Sequence, residues 1–147
     1  MPKIRNLLAA DRPLHWIAAD RSVMDAARTM VQHNVGALPV LDNDRLVGVF
    51  SERDLMKRVI VEGRNASQVT VASVMTTDVI TADINDDHAT CLKKMTTRQC
   101  RHLPVIENNK LVGFLSARDL MISEVEGKEF EIKSLTDYIY YVPPTPE

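Results

Sequence analysis

No stretch of this 147-residue chain holds the ~20 consecutive apolar residues that a membrane-spanning helix needs. The opening segment, MPKIRNLLAADRPLHW, also lacks the apolar centre of a secretory signal, so a cytoplasmic location is expected. A net charge of −2 gives no global positive field, and no basic face is interleaved with aromatics. Neither nucleic acid nor a membrane is therefore an expected partner. The two cysteines, Cys91 and Cys100, lack C-x-x-C spacing, and reduced, inert thiols are expected. His15, His33 and His88 share no ligand spacing and read as structural or solvent-facing, so no metal site is expected. No nucleophile–base pair and no G-x-x-x-x-G-K-[ST] phosphate loop appears, which argues against an enzyme.

What the chain does have is an internal repeat. ALPVLDNDRLVGVFSERDLM, Ala37 to Met56, lies over HLPVIENNKLVGFLSARDLM, His102 to Met121. Pro39 against Pro104 sets an offset of 65 residues, held without a gap to Met56 and Met121. Leu38, Val40, Asn43, Leu46, Val47, Gly48, Ser51, Arg53, Asp54 and Leu55 all recur in the second copy. That density marks a duplicated structural unit.

Each copy predicts the same string of elements. Ser22 can cap a helix whose apolar positions Val23, Ala26, Ala27, Met30 and Val31 share one face. The counterpart runs from Asp87 through Cys91, Leu92 and Met95. A strand (Leu38–Leu41 or Leu103–Ile106), a polar turn and a second strand (Leu46–Phe50 or Leu111–Leu115) follow. A second helix starts after Ser51 or Ser116, and Gly63 and Gly127 stand where its C-terminal caps are expected. With a leading strand at His15–Ala18 or Val79–Ala82, the unit is β-α-β-β-α. One unit has too few apolar faces to stand alone, so the copies should pack on each other. Pro39 and Pro104 interrupt strand-like runs and favour an edge or strand start. Past Glu129, Ile132, Leu135 and Ile139 suggest a short amphipathic helix, closed by Tyr138, Tyr140, Tyr141 and three prolines. The expected division is 1–63, 64–127 and a tail over 128–147.

The repeated string Gly48-Val-Phe-Ser51-Glu-Arg53-Asp54, matched by Gly113-Phe-Leu-Ser116-Ala-Arg118-Asp119, has a chemical use. Glycine within a strand suits a site where something must approach the backbone closely. A hydroxyl at a helix start sits beside unpaired N–H groups that suit a phosphate. A carboxylate one turn later can accept from both hydroxyls of a ribose. The same Ser-x-x-Asp spacing also reads as a capping box, in which the two side chains merely satisfy backbone donors. At the level of residues, both readings stand.

The combined string, ALPV or HLPV, a polar turn, then LVG-x-x-S-x-RDL, resembles the signature of the CBS domain (named for cystathionine β-synthase), twice over, from Leu7 to about Val125. The resemblance implies an α/β fold of tandem βαββα repeats related by pseudo-twofold symmetry, with two ligand clefts between them. It implies a regulatory module that binds an adenine nucleotide, AMP, ADP or ATP foremost, with NAD or S-adenosylmethionine as alternatives. Asp54, Ser51 and Val49 would take the ribose, phosphate and base in one cleft, and Asp119, Ser116 and Phe114 in the other. Arg53 and Arg118 belong to the same strings. The partner copy would close the Asp54 cleft with Cys100, Arg101 and His102, and the Asp119 cleft with uncharged Val35, Gly36 and Ala37. On that reading the Asp54 cleft is the better phosphate site. A homodimer through Leu55, Met56, Val59, Ile60, Leu120, Met121 and Ile122 is expected, and an effector protein as recipient of the signal. A ligand-free dimeric scaffold is the competing expectation.

Overall fold

The computed structural model describes residues 3–8 and 13–139, with side chains as far as Lys128 and again at Ile132 and Lys133. In chain order the elements are α1 (Ile4–Leu8), β1 (Ile17–Ala18), α2 (Val23–His33), β2 (Ala37–Asp42), β3 (Arg45–Ser51), α3 (Glu52–Leu55), a π-helical turn (Met56–Ile60), α4 (Val71–Val74), β4 (Ala82–Asp83), α5 (His88–Arg98), β5 (His102–Glu107), β6 (Lys110–Ser116) and α6 (Ala117–Ile139). They form two three-stranded sheets, β1-β2-β3 and β4-β5-β6, each with a parallel first pair and an antiparallel second pair. The duplicated βαββα architecture is the one the sequence predicts.

Local chemistry explains the elements. Ser22 caps α2 by accepting from the Asp25 N–H at 3.1 Å, and Asp87 caps α5 by accepting from Thr90 at 2.8 Å. Both helices stop at a left-handed residue, Asn34 and Gln99, each with φ of 53°. The hairpins close through Asn43-Asp44 and Asn108-Asn109, all four with positive φ, as a type I′ turn requires. Pro39 lies within β2, the central strand, yet β1 pairs only with Val40 and Leu41. At Pro39 the strand has no neighbour on that side, so the proline removes no ladder bond. Pro104 repeats the arrangement, because β4 pairs only with Val105 and Ile106.

Each sheet and its helices enclose a separate core. The first contains Val23, Leu38, Val40, Phe50 and Val59; the second contains Cys91, Met95, Leu103, Leu115 and Leu120. Each is completed by the lead-in segment of the other copy. Val69, Val71 and Val74, which open the second repeat, are buried in the first core, whereas Ile4, which opens the first, is buried in the second. Backbone bonds fasten both exchanges: Val23 N–H to Val69 O at 2.8 Å and Val71 N–H to Arg21 O at 2.9 Å on one side, Ile4 N–H to Asp86 O at 3.0 Å on the other. Isolated bridges pair Ser22 with Thr70 and Lys3 with Asp87, in corresponding places. The copies therefore interlock rather than merely stacking.

Several expectations are corrected. The leading strands are shorter and later than His15–Ala18 and Val79–Ala82, being only Ile17–Ala18 and Ala82–Asp83. Val31 is off the buried face of α2 and 82% exposed. Gly63 does end its helix, with φ of 67°, but Gly127 lies inside α6, which runs unbroken to Ile139. The helix expected beyond Glu129 is thus the continuation of α6, while Tyr140, Tyr141 and the three prolines lie outside the described residues. Val59 and Leu120, expected on a dimer surface, are fully buried in the two cores, and Leu55 is half-buried. Among the described residues no helix is long and apolar enough to cross a membrane.

The strand glycines mark where lead-in segments cross the sheets. A Cβ on Gly48 would lie 2.7 Å from both Met75 Sδ and the Thr76 backbone oxygen, whereas among the described residues the nearest atoms to one on Gly113 belong to the Leu8 side chain, also at 2.7 Å. Backbone cannot yield as a leucine rotamer can. Gly48→Ala is therefore expected to cost about 1–3 kcal/mol by overpacking. Gly113→Ala is expected within about 1 kcal/mol of neutral, since alanine also restricts the unfolded chain. Urea denaturation of the two variants checks the order; an equal cost would show that the crossing at Gly48 is not rigid.

Candidate functional site

Two clefts open between the copies, and they differ in size. The larger, about 730 Å³, is lined by Val49, Ser51, Glu52, Arg53 and Asp54 of the first copy, with Cys100, Arg101 and His102 facing them from the second. All eight residues lie on the strand-to-helix corners: β3 into α3 on one side and α5 into β5 on the other. Within each copy an equivalent backbone bond ties the start of the second helix to the turn that precedes the central strand, Glu52 N–H to Gly36 O at 2.9 Å and Ala117 N–H to Arg101 O at 2.7 Å.

Asp54 is only 7% exposed and is well supplied with donors. Its Oδ2 accepts from the Ser51 N–H at 3.0 Å and the Ser51 hydroxyl at 3.1 Å, while Ser51 Oγ accepts from the Asp54 N–H at 3.2 Å. This is a complete capping box. Thr76 Oγ1 donates to Asp54 Oδ1 at 3.1 Å, and Arg58 Nε lies 3.7 Å from the same oxygen. Arg58 also donates to the carbonyls of Val74 and Met75, at 3.1 and 3.0 Å. Asp54 thus holds the α3 start and the exchanged segment together. Thr76 is paired to Val49 by two backbone bonds of 2.9 Å, so the close approach that Gly48 permits is that of the chain itself. In the second copy Asp119 repeats the cap, accepting from the Ser116 N–H at 2.9 Å and donating its own N–H to Ser116 Oγ at 3.0 Å.

The larger cleft also gathers residues that the motif did not indicate: Thr76, Asp78, Val79, Ile80 and Arg98. Arg98 Nη2 forms an ion pair with Asp78 Oδ1 at 2.8 Å. The walls therefore carry three guanidinium groups, Arg53, Arg98 and Arg101, against Glu52, Asp54 and Asp78. His102 faces this cleft as well. Burial lowers its pKa, against the opposing pull of Asp119 and Glu52, and its ring stacks on Phe114 with centroids 5.2 Å apart. Near neutral pH it offers one donor and one acceptor. The Cys100 thiol, half-buried beside it, is held protonated by burial. Cys91 is pushed up to about 11 for the same reason, and both cysteines are free.

The smaller cleft, about 270 Å³, brings Phe114 and Asp119 together with Val35 and Ala37, as expected. Gly36 instead lines the larger cleft, with the Glu52 carboxylate beside it. Among the described residues around the smaller cleft, Ser116 and Arg118 are absent. Leu8, Pro13, Leu14, His15 and His33 are present and were not anticipated. His15 and His33 had no visible relation in sequence, yet their rings stack with centroids 3.6 Å apart. The repeat offset held a usable signal, because His33 corresponds to Arg98, which lines the other cleft.

Comparison with known proteins accords with this geometry. The family model described as the CBS domain matches residues 4–61 and again 71–125. The chain is 33% identical over 136 residues to the mitochondrial CBS domain-containing protein CBSX3 of Arabidopsis thaliana, covering 89% of this chain and 66% of that one. It is 31% identical over 112 residues to the CBS domain-containing protein YhcV of Bacillus subtilis, covering 76% and 79% respectively. Among solved structures, a CBS-domain-containing protein from Agrobacterium tumefaciens superposes with a TM-score of 0.77 at 32% identity, over 84% of this chain and 99% of that one. The CBS domain pair of protein MJ0100, in complex with 5′-methylthioadenosine and S-adenosyl-L-methionine, gives 0.74 at 25% identity, over 88% and 98%. With two matched repeats, two corresponding sheets and reciprocal lead-in segments, the chain belongs to the CBS domain family as a tandem pair.

Proposed function

We propose that this CBS pair is a sensor that binds an adenine nucleotide in its larger cleft and reports to another protein rather than catalysing a reaction. The observation that carries the reading is the convergence of Val49, Ser51 and Asp54 on Cys100, Arg101 and His102 around one cavity of about 730 Å³. That volume lies within the usual range for small-molecule sites. Asp54 would accept from the ribose hydroxyls, Arg101 and Arg98 would meet phosphates, and Val49 and Cys100 would flank the base. The adenosine-containing ligands of MJ0100 support the chemical class. Ribose binding at Asp54 competes with the Thr76 hydroxyl, which now occupies Oδ1. Ligand entry would loosen the bond that holds the exchanged segment, which offers a physical route from binding to shape.

The reading also includes a homodimer, now on a different set of residues. Met56 and Ile60 on the π-helical turn, and Met121, Ile122 and Val125 on α6, are exposed apolar side chains on the helices that follow the two sheets. A patch of this kind on a soluble module suits a second copy. Light scattering at micromolar concentration should give twice the chain mass, and Met56→Glu with Met121→Glu should halve it. A monomeric mass for the unaltered protein would remove the dimer from the proposal.

Millimolar AMP, ADP or ATP is expected to raise the melting temperature. A ligand at 100 times its dissociation constant adds ~2.7 kcal/mol, of the order of 10 °C for a chain of this size. Asp54→Asn should weaken binding by about ten- to a hundredfold, because a charge-assisted hydrogen bond is worth ~1.5–3 kcal/mol. It should also cost stability, since Thr76 and the Ser51 N–H share that carboxylate. Arg101→Ala, at an exposed site, should weaken nucleotide binding with little loss of stability. Asp119→Asn should spare the tighter step in calorimetry. If adenylates produce no shift, or Arg101→Ala binds as tightly as the parent, the scaffold reading replaces this one.

A further inference from the structure

The smaller cleft contains a feature that the nucleotide motif does not explain. His33 ends α2 immediately before the left-handed Asn34, as Arg98 ends α5 immediately before Gln99. Each of these side chains lines a cleft, Arg98 the larger and His33 the smaller. The fold therefore supplies a basic residue to both clefts from one helical position, as guanidinium in one case and imidazole in the other. His15 doubles the imidazole. Its ring is stacked on that of His33 at an interplanar angle of 16°, and both line the same wall.

We propose that His15 and His33 form a proton-gated binding site for the phosphate of a ligand in the smaller cleft. This rests on the nucleotide reading of the module and extends it to the second cleft. Two parallel imidazolium rings with centroids 3.6 Å apart repel each other, and an anion in the site offsets that repulsion. The cleft, about 270 Å³, is small enough that a phosphate entering it meets the pair directly. Among the described residues the other charged group on its walls is Asp119, across from the pair on α6; His102 lies behind it, stacked on Phe114. Asp119 favours protonation of His102 and is placed to take ribose hydroxyls, leaving His15 and His33 for the phosphate. Burial, and secondarily the charge of His33, lowers the His15 pKa. The sign follows: an anion favours the protonated rings, so binding takes up protons and tightens as pH falls through the histidine range. In the larger cleft the three arginines keep their charge throughout.

The test is calorimetric titration of the full chain with AMP at pH 5.5 and pH 8, with histidine ring signals followed by NMR. The larger cleft serves as internal control for the ligand's own proton, since a phosphate monoester has a pKa of ~6. Two binding steps are expected at pH 5.5, with the smaller-cleft step at least about tenfold weaker at pH 8. His33→Gln should abolish that pH dependence and leave the larger-cleft step unchanged. His33→Arg should give two steps at both pH values, a rescue that a packing role for the ring would not produce. Inorganic phosphate at pH 5.5 should shift the His15 and His33 signals. If AMP binds the Asp54 cleft while these signals stay still, the proposal fails and the nucleotide reading survives. If the His15 and His33 signals move but no step responds to Arg101→Ala, the proposal stands and the reading of the larger cleft fails. If His33→Gln leaves the pH dependence intact, the proton-gated site is wrong.

Discussion

Where Met75 and Thr76 cross β3 at Gly48, and Leu8 lies over β6 at Gly113, the strand below carries no side chain, and at Gly48 the crossing backbone leaves no room for one. The crossings allow each repeat to lend its lead-in segment to the other's core. Without Val69, Val71 and Val74 the first sheet would expose its packed face, and without Ile4 the second would lose a fully buried side chain. Removing such a side chain from a core costs ~2–5 kcal/mol, a large share of a small domain's total stability. The interlock, rather than either hydrophobic core alone, makes one body of two short repeats.

The same crossing shapes the larger cleft. Because Thr76 must pass over β3, its hydroxyl reaches Asp54, and the residues that follow, Asp78 to Ile80, become a wall of the cavity. Asp54 consequently has two simultaneous tasks, closing a capping box and retaining the crossing segment. The alternatives that the residue pattern left open, cap or ligand acceptor, are not exclusive. A carboxylate has about four acceptor positions, and the hydroxyl of Thr76 is the donor that a ribose can replace without unmaking the cap.

Much of the fold was legible because its signals are local. Ser22 and Asp87 announce their helices, the Asn and Asp residues announce the turns between paired strands, and the 65-residue offset announces the duplication. The second-repeat residues Cys100, Arg101 and His102 could be placed opposite Asp54 through the family resemblance, and they line the same cleft. What escaped depends on tertiary contacts. Nothing in the sequence of Val69 to Val74 or of Ile4 says which core it enters. Gly127 looks like a cap but lies mid-helix, since a lone glycine costs only ~1 kcal/mol there. His15 and His33 are brought together by folding, so spacing alone could not reveal their stack. The lowered proton affinity of His102 depends on burial against Phe114, which composition does not register.

The exchange also has a consequence for the order in which the protein can be made. Ile4 precedes in sequence every residue of its docking site, which includes Ala82, Cys91, Leu103 and Leu115, so α1 can seat only after most of the second repeat has been made. The first repeat is likewise short of its final strap until Val71 and Val74 have emerged. Contacts so far apart in sequence slow the search for the native state. Until then Ile4 lacks its native seat, since in its own repeat's core the corresponding place is taken by Val71 and Val74 of α4. The two segments differ in sequence, IRNLL against VASV, so each core is completed by a different set of side chains.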